Sequence, residues 1–231
     1  MKDIYYASVD NVRYLKSKRR VLNKMIKNAI RHGHEDEIST LTQLYALLYS
    51  SFAETSFLKL IHTPNGFEEY EINDIFRRRN LEEKWIKCFE LAFKKNENAL
   101  NKGEIANKKR KLNSILQEYI IAPSKIRNKI AHGQWVKCLN NECNAINIDA
   151  TNRIKNLDFV KIDIYFEIYA IFEQCIEDLI ESPHKAHYNS FYASIIKLEE
   201  YIYKSKDWTY DTKKKLILES PKNTKYREKK T

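Results

Sequence analysis

The chain has 231 residues, 43% hydrophobic and 31% charged, a composition typical of a folded globular domain and not of a disordered segment. Its 41 Lys and Arg residues outnumber its 31 Asp and Glu residues, so the net charge of +10 suits either a polyanionic partner or a solvated basic surface. With only 4 Gly and 4 Pro, and neither GxGxxG nor GxxxxGK[ST], dinucleotide-binding and P-loop folds are disfavoured.

The N-terminal segment MKDIYYASVDNVRYL lacks the apolar run of a signal peptide, and no uncharged apolar run of about 18 residues occurs. The most apolar stretch, residues 159–180, is interrupted by Lys161, Asp163, Glu167 and Glu173. Four cysteines without a secretion signal indicate a reducing compartment. We therefore expect a cytoplasmic protein with no membrane partner.

The few Gly and Pro residues stand where helices are expected to end. Gly33 follows a helical run from about Ser8, Pro64 and Gly66 form a TPNG turn, and Gly103 separates two charged helical segments.

Between these residues, apolar side chains recur with the helical period. One stripe is predicted on the second helix: Leu41, Leu44, Leu48, Phe52 and Leu58. Another is predicted late in the chain: Ile168, Phe172, Ile176, Leu179 and Ile180. We predict an all-α bundle of long antiparallel helices, with a single domain over residues 1–205. A basic tail over residues 206–231 follows, and partial order of this tail stays open.

Residues 134–148, QWVKCLNNECNAINI, depart from the helical pattern. Two short runs, WVKCL and NAINI, flank Asn140-Asn141-Glu142, which favours a small β-hairpin or an ordered loop over a helix.

Two other clusters suggest less specific hypotheses. Cys138 and Cys143, with the HxxH of His184 and His187, resemble a zinc ligand set only loosely, and Cys138 alternatively faces the core. We therefore expect no metal and no cofactor. The run Arg77-Arg78-Arg79 precedes an aromatic-rich helix and is either a solvated face or an RNA contact.

The stretch SKIRNKIAHGQW, residues 124–135, is the strongest candidate for a site. Pro123 suits the first position of a helix, and Gly133 suits the left-handed residue that closes one. Ile126 and Ile130, four residues apart, would anchor one side. His132 then stands at the helix C-terminus, where the helix dipole favours its charged imidazolium.

Asn128 and His132 are four residues apart and should be neighbours, whereas Arg127 lies about 140° away from His132 around the helix. Arg127 therefore needs its length, a distorted last turn or a second chain to share a ligand with His132. A guanidinium for phosphate and an imidazole for proton transfer would suffice to cleave RNA, because the ribose 2′-hydroxyl supplies the nucleophile. The alternative without a catalytic role is that Arg127 is a surface arginine and that His132 is only a cation at the end of the helix.

The motif RNKIAHG resembles the R-x4-6-H signature of HEPN domains, which are all-helical bundles. Many of them act as metal-independent ribonucleases in bacterial toxin and antiphage systems. The upstream segment TLTQLYALLYSSFAETSFLKLI and the sequence downstream of the motif extend this resemblance over roughly residues 35–187.

The resemblance implies that Arg127 and His132 are the catalytic pair and that Asn128 is the polar residue beside the arginine. Acidic residues on the second helix can orient the arginine in the family, so Glu54 is either a supporting residue of this kind or a solvated side chain. It also implies RNA as substrate, a homodimer formed through the motif helix, and control by an antitoxin or sensor subunit. Two alternatives remain open: a non-catalytic module that binds RNA or a nucleotide, and a helical adaptor.

Overall fold

The computed structural model describes residues 2–96, 102–181 and 187–220. Within these ranges all regular structure is helical and no strand occurs, which confirms the all-α prediction. The helices are α1 (Lys2–His32), α2 (Glu35–Ile61), α3 (Glu69–Phe76), α4 (Leu81–Lys94), α5 (Lys102–Leu116), α6 (Ala122–Ala131), α7 (Ile148–Lys155), α8 (Phe159–Ile180), α9 (His187–Ser205) and α10 (Tyr210–Glu219). A π-helical turn, Gln117–Ile121, joins α5 to α6.

Helices α1 and α2 pack along each other as a hairpin. The connection is short because Gly33 adopts a left-handed φ of 71°, and the N–H of His34 returns to the carbonyl of Ala29 at 3.0 Å. The helix end predicted at Gly33 is confirmed, but α1 begins at Lys2 and not near Ser8. Gly103 also differs from its prediction, since it lies in the first turn of α5.

Helix α2 lies at the centre and packs against α1, α6 and α8. The ring centroid of Phe166 on α8 lies 5.3 Å from Tyr45, 5.1 Å from Tyr49 and 5.1 Å from Phe52. The predicted leucine stripe of α2 is therefore partly wrong: Leu44 and Leu58 are exposed, and their neighbours Tyr45 and Phe57 are buried instead. In contrast, all five residues of the predicted α8 stripe are buried.

One polar network joins α1, α2 and α8. The guanidinium of Arg19 lies 2.6 Å from Asp163 and 2.7 Å from Glu167, and Asp163 also accepts from Tyr45 at 2.6 Å and from Asn23 at 3.0 Å. Burial by itself would raise the pKa of Asp163, but the Arg19 charge and these hydrogen bonds outweigh it, so the pKa lies below its usual value.

We expect Asp163→Asn to lower the free energy of unfolding at pH 7 by about 2 kcal/mol, since hydrogen bonds to a charged group are lost. Because the folded-state pKa of Asp163 is depressed, its contribution is full above the ordinary value of 3.8 and is lost as the pH falls through the folded value. Urea unfolding at pH 7 and near pH 3 checks this prediction, because the difference in free energy of unfolding between Asp163→Asn and the unmodified chain should be smaller in acid. Asp10→Asn, which removes an exposed carboxylate near Arg13, should cost less than about 0.5 kcal/mol.

The segment after α6 folds as an ordered loop, and the alternative prediction of a β-hairpin is not confirmed. A single antiparallel bridge joins Leu139 to Ile146. Pairing stops there because the side chain of Asn147 accepts from the N–H of Ala150 at 2.9 Å and so starts α7.

The first part of the predicted tail is helical, because α10 packs against α1 and α8 and buries Ile217. Residues 221–231 lie outside the described residues. Among the described helices, none combines the length and apolar character that crossing a bilayer requires.

Candidate functional site

The π-helical turn sets the position of α6. The N–H of Ala122 bonds five residues back, to the carbonyl of Gln117, which widens the helix just before Pro123. Pro123 has no N–H to offer the carbonyl of Tyr119, and the buried hydroxyl of Tyr49 donates to that carbonyl instead, at 2.5 Å. Pro123 is the second residue of α6, but it starts no separate helix, since the π turn makes α5 and α6 continuous.

We expect Tyr49→Phe to lower the free energy of unfolding by about 1–3 kcal/mol, because the buried hydrogen bond to the carbonyl of Tyr119 would be lost. The midpoint of urea unfolding measures this change. Tyr165→Phe is the matched control, since the hydroxyl of Tyr165 has no hydrogen-bond partner within the described ranges, and the midpoint should stay nearly constant. Equal effects of the two substitutions would contradict this role of Tyr49.

The end of α6 follows its sequence prediction. Ile126 and Ile130 are buried, and the helix stops at Ala131 with His132 as its C-terminal cap. Gly133 takes a left-handed φ of 78°, and its N–H bonds to the carbonyl of Ile130 at 3.0 Å. The side chain of His132 is thereby exposed at the helix end.

His132 opens onto a groove of about 890 Å³ between α6, the loop after it and the start of α7. Asn128 lines the same groove, as its four-residue spacing from His132 predicted. Among the other polar side chains along the groove are Lys125, Lys129, Asn140 and Arg153, and one carboxylate, Asp149, lies beside them. The lining is therefore cationic and rich in amides, which suits an anion that also carries hydrogen-bonding groups.

The cations of this groove differ in what they already bind. Lys129 donates to the carbonyl of Leu139 at 2.7 Å, and Arg153 lies 3.0 Å from Asp149. Lys125 and His132, by contrast, have no side-chain hydrogen bond or ion pair within the described part of the chain. A phosphate that enters the groove could therefore bind the ammonium of Lys125 and the imidazole of His132 without breaking an existing hydrogen bond or ion pair of either side chain.

Arg127 points elsewhere. Its guanidinium pairs with the carboxylate of Glu54 on α2, its side chain is 24% exposed, and it is absent from the lining of the His132 groove. Glu54 is therefore not simply solvated, because its carboxylate forms an ion pair with the guanidinium. Within one chain, however, the structure does not bring Arg127 and His132 into one groove. This agrees with their separation of about 140° around the helix, which follows from a spacing of five residues.

The remaining candidate residues lie away from this groove. Arg77, Arg78 and Arg79 are exposed in the turn between α3 and α4, where Arg78 pairs with Asp74. None of the three lines the groove.

The loose zinc set is not assembled among the described residues. Cys138 is fully buried and Cys143 is exposed, and no three His, Cys, Asp or Glu side chains cluster there. His184 lies outside the described residues, as does the side chain of His187.

The sequence analysis did not identify Lys125 and Lys129 as residues of the site. Their signal was present, because residues 125, 129 and 132 recur at helical spacing and so share a face. Asn140 and Arg153 could not be found this way, since only the fold of the loop places them beside α6.

No protein-family model matches this chain, and neither a curated protein nor a solved structure does. The resemblance to HEPN domains therefore has no support beyond the residues that suggested it and an all-helical fold.

Proposed function

We propose that the chain is a metal-independent endoribonuclease of the HEPN type, with RNA bound in the groove beside His132. The observation that carries this proposal is an exposed histidine whose side chain has no partner among the described residues, set among lysines and amides in a groove of about 890 Å³. Such a groove offers both electrostatic attraction for a phosphate and an imidazole that can accept or donate a proton.

In the proposed reaction His132 takes the proton of a ribose 2′-hydroxyl, whose oxygen then attacks the adjacent phosphorus. The bond from phosphorus to the 5′-oxygen breaks, and that oxygen receives a proton from the imidazolium of His132, which thereby returns to its starting state. The products are a cyclic phosphate and a 5′-hydroxyl. Lys125 and Asn128 hold the phosphate, and a guanidinium stabilises the charge that develops on it.

The guanidinium is that of Arg127, supplied by a second copy of the chain. Two copies of α6 that meet in a symmetric dimer would place Arg127 of one protomer near the His132 groove of the other. The pairing of Arg127 with Glu54 supports this role, because it holds the guanidinium in one direction. In a cell, such an activity suits a toxin or antiphage effector that an antitoxin or sensor subunit restrains.

The test is incubation of the purified chain with total RNA in the presence of EDTA, followed by identification of the new ends. We expect cleavage that EDTA does not prevent, with cyclic phosphates and 5′-hydroxyls. Cleavage that stops with EDTA, or products with 5′-phosphates, would contradict the mechanism.

One observation favours a second function, a HEPN-like module that binds RNA or a nucleotide without cutting it, or that serves a partner as an adaptor. Arg127 is already neutralised by Glu54 and lies outside the groove. A binding module predicts an RNA complex at low salt with no new RNA ends, and an adaptor predicts negligible RNA binding at any salt concentration.

A further inference from the structure

A second cationic surface runs along α1, away from the residues of the His132 groove. Lys16, Arg20, Lys24, Lys27 and Arg31 follow one another at intervals of three or four residues and so form one stripe on the helix. At about 1.5 Å per residue the stripe is about 22 Å long. All five residues line a groove of about 740 Å³ between α1 and α8, which we call the α1 groove.

Among the described residues, the carboxylates that line the α1 groove are Asp163 and Glu167, and both are paired with Arg19 of the network described above. These two carboxylates therefore do not neutralise the stripe, although the charge of Lys16 also acts on the buried carboxylate of Glu173 on α8. The three central members of the stripe form no ion pair or hydrogen bond within the described residues: Arg20, Lys24 and Lys27.

The two end members of the stripe make weak contacts. Lys16 lies 5.8 Å from the ring centroid of Phe52, and Arg31 reaches Asn28 and Ser220 at 3.3 Å. Both still line the groove. A row of uncompensated cations along a groove is an arrangement that attracts an extended polyanion.

An aromatic cavity adjoins the α1 groove. This cavity, about 470 Å³ between α8 and the segment around α10, shares Arg19, Asp163 and Glu167 with the groove. Trp208 lines it with 49% of its surface exposed, beside Tyr201 at 5.9 Å between ring centroids. A half-exposed indole next to a cationic groove is the combination that single-strand binding proteins use, with backbone on the cations and a base on the ring.

We propose that the α1 groove and the Trp208 cavity together form a binding site for single-stranded nucleic acid. The phosphates lie along the stripe from Lys16 to Arg31, and a base enters the cavity and stacks on Trp208. A membrane surface fits less well, because an interfacial helix needs a continuous apolar face toward the lipid. Four apolar residues of α1 are buried in the core instead, Val12, Ile26, Ala29 and Ile30, and its exposed apolar residues Ile4, Val21 and Met25 are interspersed with the cations of the helix.

This site does not depend on the proposed cleavage, and its test uses DNA, which has no 2′-hydroxyl to attack. The probe is a fluorescein-labelled single-stranded oligodeoxythymidylate of about 15 nucleotides, read by fluorescence anisotropy. The affinity is measured between about 50 and 300 mM salt, which yields the salt slope of binding.

The first variant replaces Lys16, Arg20, Lys24 and Lys27 by alanine. Each lost phosphate contact on a single strand should lower the salt slope by about 0.7, so we expect a decrease of about 3 and at least about tenfold weaker binding at low salt. A matched control replaces Arg13 and Lys18, exposed cations of the same helix that do not line the groove. This control should bind almost as tightly as the unmodified chain.

The second variant is Trp208→Ala, for which we expect about tenfold weaker binding with an unchanged salt slope, because stacking is lost and no charge is removed. Trp208→Phe should restore most of the affinity. Circular dichroism and the urea midpoint confirm that each variant is folded.

Three results would overturn the proposal. The first is a decrease in salt slope per removed charge that is the same in the stripe variant, which loses four cations, and in the Arg13 and Lys18 control, which loses two; this would indicate general attraction to a basic protein. The second is a Trp208→Ala variant that binds as the unmodified chain does. The third is unchanged oligonucleotide binding in the stripe variant together with lost binding to phosphatidylserine vesicles, which would identify a membrane surface. None of these results bears on cleavage at His132.

Discussion

Replacing His132 by alanine is expected to slow RNA cleavage by about 10²- to 10⁴-fold, the usual contribution of a general acid or base. The loss should appear in the rate at saturating RNA, because the lysines of the groove remain to bind the phosphate. The measurement is a single-turnover assay on a labelled RNA, with the variant in excess over the substrate.

His34→Ala is the matched control for this substitution. His34 is also exposed and also follows the end of a helix, but it pairs with Glu37 and does not line the groove. Its loss should leave the cleavage rate within about twofold, as expected of a surface side chain that contacts no substrate. Cleavage that persists in the His132→Ala protein, with the same product ends, would refute the assignment of the site.

Mixing two inactive variants is expected to restore activity, because Arg127 and His132 act across a dimer and not within one chain. Arg127→Ala and His132→Ala are each expected to be inactive alone. After equal mixing and exchange of subunits, half of the dimers are mixed, and each mixed dimer has one site with both residues intact. The mixture should therefore recover about a quarter of the original activity.

A second mixture gives the complementary result. When the unmodified chain is diluted with an equal amount of the Arg127→Ala, His132→Ala double variant, every site of a mixed dimer lacks one residue. Activity should fall to about a quarter, whereas sites contained within single chains would leave about a half. Light scattering establishes the oligomeric state in parallel. The dimeric arrangement would be wrong if the first mixture recovered no cleavage activity and the second mixture kept about half of the activity of the unmodified chain.

The local features of the fold could be read from the sequence where a single residue type decides the backbone. Gly33 and Gly133 end their helices with left-handed φ values of 71° and 78°, as predicted, because other residues are disfavoured in that conformation. The apolar spacing of α8 likewise predicted its buried face.

Features that depend on a distant partner were not predictable in this way. Tyr45 and Tyr49 of α2 are buried, and their hydroxyls reach Asp163 and the carbonyl of Tyr119, which only the packed helices bring near. The π-helical turn likewise contacts a distant segment, since the hydroxyl of Tyr49 on α2 donates to the carbonyl of Tyr119 within it.

The sequence alone determined that the chain is helical, where several helices stop, and that Asn128 and His132 share a face at the end of α6. These properties follow from residues within a few positions of each other. Tertiary structure decided that Arg127 turns to Glu54, that Lys125 and Arg153 join His132 in one groove, and that the cations of α1 border a groove with Trp208 nearby. The physical reason is that the direction of a long charged side chain depends on which opposite charge or solvent lies within its reach, and packing between distant segments sets that.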